Sequence, residues 1–460
     1  MNALRLLATQ RFAPLFWVQF LGSFNDNLFK NALVIFAAFI VIGVAEEFHD
    51  NIVMLAGAVF ILPFFLFSAL AGQLSDKLYK DRLIRWLKLA EIAVMIIAVF
   101  GFMLANTWLL LVVLFFMGMQ SAFFGPLKYG ILPQYLHDEE LLRGNGLIQM
   151  ATYLAILVGT ALGGVLISLP GQRGPLAISC AVMLVAVSGW WISRKLPPAV
   201  PGSPALRVSY NLPVQTWRLL LLAVRDHKGC LLNMLSISWF FFLGSVYLAV
   251  LPLYVRDVLH AGAATATLLL TLMSVGIGLG SLLCGLLGTA GNITRMMPPA
   301  ALLLGLAPLG LFLPGLVDTP VAATCDWLPS WLGTSGAELC AFFGTAMGWG
   351  VALDIVVTGL AAGFYIVPLF ALLQHRARAE NRARVIAATN IIDSAYIMLA
   401  SAFTLLLRDL LDKVGLGGHW FFLVLAFTHA LVMPVLMYCW PERTRPWDTA
   451  VPSPSTAPAK

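Results

Sequence analysis

The chain has 460 residues, of which 60% are hydrophobic and 11% charged, with a formal net charge of +6 and a mean hydropathy of +0.88. Soluble domains carry about 25% charged residues, so this composition excludes a soluble globular protein and reads as a polytopic membrane protein. Long uncharged runs leave helices as the spanning element, and the basic excess is a topology signal rather than a mark of nucleic-acid binding.

Apolar runs and their charged breaks predict twelve spans, at 12–44, 52–73, 83–104, 108–127, 144–169, 174–193, 229–255, 264–289, 297–316, 353–374, 384–407 and 418–440. The first run is too long for a cleavable signal peptide and has no small-residue cleavage site. Between spans nine and ten, 317–352 holds a Pro/Trp/Cys-rich loop and then a Gly-broken apolar stretch at 337–352, read as an interfacial or re-entrant piece. Cys325 and Cys340 bracket this loop and are candidates for pairing.

The longest break, 194–228, carries Pro197, Pro198, Pro201, Pro204 and Pro213 and divides the spans six and six. The expected domains are therefore a first half at 1–193, a linker at 194–228, a second half at 229–440 and a disordered tail at 441–460. Such a layout is that of a two-halved carrier with repeats related by an axis along the membrane normal. With the N-terminus inside, 23 lysines and arginines fall on that side, in segments that include 74–88, 128–143, 194–228 and 376–384, against 4 on the other. The positive-inside rule then places both termini in the cytoplasm.

Span one contains a polar patch, Asn25-Asp26-Asn27-Leu28-Phe29-Lys30-Asn31. A charge at mid-membrane costs roughly 2.5–3.5 kcal/mol on insertion scales and usually faces a bundle interior or watery path. Asp26 and Lys30 lie four apart on one helix face, where they can neutralise each other. A bare helix lock would not need the flanking asparagines, so Asp26, Lys30, Asn25, Asn27 and Asn31 are candidate substrate contacts. Glu91 in span three reads equally as a helix tether or a cavity acid. Asn390 and Asp393 share a face of span eleven and join the candidates. Asp354, near the end of span ten, reads as a carboxylate that reaches water.

Signatures of catalysis are missing from the sequence. There is no Gly-Lys dipeptide for a Walker A loop and no Ser in G-x-S-x-G. No His has an Asp five residues later, as a glycerolipid acyltransferase would require, and no C-x-x-C suggests a metal or redox site. No enzyme, cofactor or metal is expected.

The break after span two reads Gly72-Gln73-Leu74-Ser75-Asp76-Lys77-Leu78-Tyr79-Lys80-Asp81-Arg82. It resembles the major facilitator signature G-x-x-x-D-[RK]-x-G-[RK]-R, with Asp81 altering the spacing. Asp76 can cap a helix N-terminus of the opposite half, and Lys80 and Arg82 are expected to supply a charge lock, making these three the candidate gate.

Val18-Gln19-Phe20-Leu21-Gly22-Ser23-Phe24-Asn25-Asp26-Asn27 resembles the opening of bacterial lysophospholipid transporters of that superfamily. Further resemblance lies in Pro126-Leu127-Lys128-Tyr129-Gly130-Ile131-Leu132, in Asn145-Gly146-Leu147 with the 159–164 small-residue run, and in Val367-Pro368-Leu369 through Gln374. The resemblance implies an all-α, twelve-helix bundle in the bacterial inner membrane. Its implied substrate is lysophosphatidylethanolamine or lysophosphatidylglycerol, flipped from the outer to the inner leaflet and reacylated there. Asp26 matches the family's first-helix acid, whereas the cation some members carry in helix seven is missing, and Lys30 is the candidate replacement. Similar domains occur fused to an acyltransferase and an acyl-acyl-carrier-protein ligase, so a cytoplasmic enzyme of that kind is a candidate partner alongside membrane lipids. A drug or metabolite exporter of the same fold and a non-transporting scaffold for an acyltransferase remain open at this point.

Overall fold

A computed structural model describes residues 3–37, 46–226, 228–289, 293–316 and 333–438. Among these residues the chain is helical, beginning with a short α1 (Ala3–Leu6). The first half comprises α2 (Ala13–Ile35), α3 (Glu46–Lys77), α4 (Lys80–Met103), α5 (Thr107–Tyr135), α6 (Asp138–Ile167) and α7 (Arg173–Ser193). A linker helix α8 (Leu212–Asp226) precedes α9 (Lys228–Asp257), α10 (Ala263–Leu287), α11 (Ile293–Phe312), the short α12 (Gly333–Phe343), α13 (Ala346–Arg376), α14 (Arg382–Val414) and α15 (Trp420–Tyr438). Leaving out α1, α8 and α12 gives the twelve helices of the bundle, six on each side of the linker. Ten of its helices contain spans long and apolar enough to cross a membrane. The other two, α2 and α15, are the helix that carries the polar patch and a shorter apolar helix, Trp420–Leu436 by composition.

Helix boundaries follow local chemistry. Asn106 Oδ1 accepts the backbone N–H of Leu109 at 3.0 Å to open α5, and Thr345 Oγ1 accepts that of Gly348 at 3.0 Å to open α13. The first turn of α6 holds Asp138, Glu139 and Glu140, matching the positive end of the helix dipole. Gly415, in the left-handed region at φ 73°, ends α14.

Two shifts from the predicted boundaries bear on the site. Span four runs on to Tyr135, which brings Lys128 inside a helix instead of a loop. Residues 346–352 open α13 rather than forming an interfacial piece, because Thr345 caps a helix that continues unbroken to Arg376. Cys340 is disulfide-bonded, and Cys325, its candidate partner, lies outside the described residues, as does the 441–460 tail.

Packing brings α2 hard against α6. A methyl group at Gly159 would sit 2.6 Å from the carbonyl oxygen of Phe24, and one at Gly163 would sit 2.5 Å from that of Leu28. Small residues permit this approach, and it fixes the rotation of α2. Gln19, Gly22, Ser23, Asp26 and Lys30 thereby face the space between the halves.

Candidate functional site

That space is a cavity of about 340 Å³. From the first half α2, α3, α4, α5 and α6 line it. Phe241 of α9, Phe370 of α13, and Asn390, Asp393, Ser394 and Ile397 of α14 close it from the second. Eleven residues separate Gln19 from Lys30, so the polar face of α2 runs about 16 Å along the cavity at 1.5 Å per residue. Phe60, Ile61, Phe64, Ile156 and Ile397 add an apolar wall.

Asp26 and Lys30 both line the cavity, but they form no ion pair within 4 Å. Ser121 Oγ on α5 donates to Asp26 Oδ2 at 2.6 Å, while the Lys30 ammonium lies 5.8 Å from the centre of the Phe60 ring on α3. One turn apart, the two side chains have found partners on different neighbours, and both remain on the cavity wall.

Lys88 and Glu91 of α4 form an ion pair at 2.6 Å with both side chains almost wholly buried. Glu91 also accepts from Gln120 Nε2 at 2.7 Å and from Asn25 Nδ2 at 2.8 Å. Glu91 therefore stands behind the cavity wall as the anchor of Lys88, and it is Lys88 that lines the cavity. Gly22 makes room for it, since a methyl group there would sit 2.7 Å from Lys88 Nζ. A third lysine, Lys128 of α5, also lines the cavity, its ammonium 4.7 Å from the centre of the Tyr129 ring. In the second half, Ser238 Oγ donates to Asp393 Oδ1 at 2.6 Å. Beside it, the buried amide nitrogen of Asn390 has no hydrogen-bond partner. A buried donor left unpaired is costly, and this one belongs to a residue lining the cavity.

At its linker end the cavity is sealed. Tyr129 stacks on Phe370 across the two halves with ring centres 4.2 Å apart, and Gln149 Nε2 donates to the Tyr129 hydroxyl at 2.9 Å. Nearby, buried Asn145 and Gln374 exchange two amide hydrogen bonds, at 3.0 and 2.8 Å. Asp76 then meets the start of α14. Its carboxylate accepts the backbone N–H groups of Ala383 and Arg384 at 3.1 and 3.2 Å and the Arg384 guanidinium at 3.0 Å. The linker covers this lock: Ser203 donates its backbone N–H to the Asp76 carbonyl at 2.7 Å and its hydroxyl to the Glu380 carbonyl at 2.7 Å.

The family model of the Major Facilitator Superfamily matches residues 15–392. The chain belongs to this superfamily. Over 411 residues it is 26% identical to the lysophospholipid transporter LplT of Enterobacter sp. (strain 638), covering 87% of this chain and 89% of that protein. Solved transporter structures align with it. The Escherichia coli fucose:proton symporter gives a TM-score of 0.65 at 14% identity, covering 94% of this chain and 98% of that one. A bacterial homologue of the iron transporter ferroportin in its outward-facing state gives 0.62 at 12%, covering 93% and 98%.

Against this major facilitator frame the candidate residues separate. Asp26, Asn27, Lys30, Asn390 and Asp393 line the central cavity, whereas Asn25, Asn31 and Glu91 do not. Asn25 holds Glu91, and Asn31 donates to the Thr160 carbonyl at 2.8 Å, so both tie helices together. Asp76 and buried Lys80 lie at the seal, where Lys80 donates to the Val200 carbonyl of the linker at 3.2 Å. Arg82 instead lies exposed over the Tyr79 ring at 4.7 Å, and Arg384 is the cation that Asp76 meets. Lys88 and Lys128 lie near the ends of their predicted spans, where charged residues read as loop; the i,i+3 spacing of Lys88 and Glu91 is the signal in the sequence that points inward. Among the described residues no group of three or more His, Cys, Asp or Glu is placed to hold a metal.

Proposed function

We propose that this chain moves lysophospholipids, lysophosphatidylethanolamine and lysophosphatidylglycerol, from the outer to the inner leaflet of the bacterial inner membrane. There a cytoplasmic acyltransferase or acyl-acyl-carrier-protein ligase reacylates them. The observation that carries this reading is the two-sided lining of the central cavity. Asp26, Lys30 and Lys128 present groups of both signs to a headgroup, with the paired Lys88 behind them, while Phe60, Phe64, Ile156 and Ile397 offer an apolar wall to one acyl chain. A phosphate suits the lysines and an amine suits Asp26. Small-molecule sites run roughly 300–1,000 Å³, so a cavity of about 340 Å³ holds a headgroup and part of one chain, not two chains. The name of the Enterobacter relative supports the same class.

The basic excess at the linker end supports a cytoplasmic placement of that end. The sealed linker end is then the closed cytoplasmic side, and the state is one that awaits substrate from the outer leaflet. The test is reconstitution with labelled lysolipid, following its passage between leaflets for the native chain and for Asp26→Asn. Lysolipid transfer lost in a stably inserted Asp26→Asn variant supports the reading. Native protein that moves no lipid, but expels a soluble cation, refutes it in favour of an exporter of the same fold.

A further inference from the structure

The linker helix α8 has a surface that the transport cycle does not use. Asn211 caps it, its Oδ1 accepting from Val214 N at 3.4 Å, and Leu219 buries one side against the bundle, where α8 meets α3, α14 and α9. On the other side Val214 and Trp217 are 40% and 66% exposed, with Tyr210 at 77% just before the helix. Val214, Trp217 and half-buried Leu221 are spaced three and four apart and so form one stripe. Arg218 lies exposed beside Trp217, and Arg207 is exposed in the approach to the helix. A helix serving only as a cover for the bundle would carry polar residues on that outer face.

We propose that α8 is an interfacial helix whose Val214–Trp217 stripe enters the leaflet at the linker end, with Arg207 and Arg218 on anionic lipid headgroups. Continuity with the membrane supports this occupant over a soluble protein. α8 ends at Asp226 and α9 begins at Lys228, with the apolar span counted from Cys230. The end of α8 is thus held within a turn of the bilayer surface. The end of α7, which leads into the same linker, carries Trp190 and Trp191, over which Arg194 and Lys195 lie at 5.3 and 5.4 Å. Tryptophan beside basic residues is the usual composition of a membrane interface, and exposed arginines complement an anionic leaflet.

The test uses the full chain in a Cys180→Ser background, reconstituted in vesicles containing phosphatidylglycerol. Nitroxide labels are placed singly at Val214→Cys, Trp217→Cys and, as a water-exposed reference, Ala205→Cys. Collision with an aqueous nickel chelate should be several-fold lower at 214 and 217 than at 205, and collision with oxygen higher. Adding Arg207→Glu and Arg218→Glu should restore chelate access at 214 and 217. Chelate access at 214 and 217 equal to that at 205 would overturn the proposal and leave the stripe for a soluble partner. Protection unchanged by charge reversal would overturn the anionic-lipid assignment. Because the readout is depth and not transport, the outcome is independent of the lysolipid reading.

Discussion

Glu91 is surrounded by three donors, Lys88 Nζ at 2.6 Å, Gln120 Nε2 at 2.7 Å and Asn25 Nδ2 at 2.8 Å. The Glu91→Gln change keeps the shape but halves the acceptors, since a carboxamide offers one oxygen and two N–H groups. At least one donor loses its partner, and the Lys88 charge, with its side chain 2% exposed, is left uncompensated. Breaking a buried pair on one side costs about 3–5 kcal/mol. Lys88→Met should cost a similar amount, by leaving a buried carboxylate. In the double variant neither charge of the pair remains, and it should be more stable than either single variant, so the coupling should exceed about 3 kcal/mol, the cost of one single change. Unfolding of the four proteins in nanodiscs, followed by denaturant or heat, completes the cycle. Losses that add within about 0.5 kcal/mol would refute the claim that Glu91 acts through Lys88.

Gly22→Ala should drive Lys88 off its position, because the new methyl would sit 2.7 Å from the ammonium; overpacking costs about 1–3 kcal/mol, and a native melting temperature with native lysolipid transfer would disprove it. Asp76→Ala should open the linker end, since the carboxylate holds two backbone N–H groups and Arg384. Cysteines placed at that end should gain label, and an unchanged pattern would leave Asp76 a topology residue. Lysophosphatidylethanolamine should transfer well and its diacyl counterpart poorly, because each CH₂ of a second chain adds about 0.8 kcal/mol of preference for lipid; equal transfer in a leaflet assay would indicate a nonspecific scramblase.

The bundle was legible because lipid demands internal satisfaction of every backbone group, which leaves long apolar runs only one structure. The α2 site was legible for the converse reason: Asp26 and Lys30 are expensive within an apolar run and so announce themselves. Lys88 and Lys128 carry equal cost but lie within two to three turns of helix ends, where the same residue types ordinarily reach water. Which ion pair forms was also hidden. Asp26 and Lys30 have a favourable i,i+4 spacing, yet the contacts with Ser121 and Phe60 come from α5 and α3, distant in sequence. Lys88 and Glu91 have the pair instead, supported by Asn25 and Gln120 from two other helices. The capping of α14 by Asp76 could be read from sequence in kind, because a carboxylate at a span end seeks a helix N-terminus. Its partner Arg384, 308 residues away, depended on how the halves meet.

The seal must be strong enough to keep the linker end shut and weak enough to be released. Its charged part is modest: a carboxylate at a partly buried helix N-terminus contributes up to about 2 kcal/mol, and a hydrogen bond to a charged group about 1.5–3 kcal/mol. Inverting a two-state population from 1:99 to 99:1 requires about 5.5 kcal/mol of differential binding. The lock at Asp76 is therefore of the same order as the differential binding that would be needed to invert it. On the proposed reading, a headgroup moving along the α2 face would meet Lys128, beside the Tyr129–Phe370 stack. Lys128 is the link between the two sites, since it lines the cavity and its ammonium rests against the Tyr129 ring that closes it. On the proposed function, a phosphate that drew Lys128 away from that ring would change the contacts of the stack itself. Binding would then be coupled to release of the seal through one side chain, and Lys128→Met should abolish any substrate-dependent labelling of cysteines at the linker end; labelling that still responds to lysolipid would refute this.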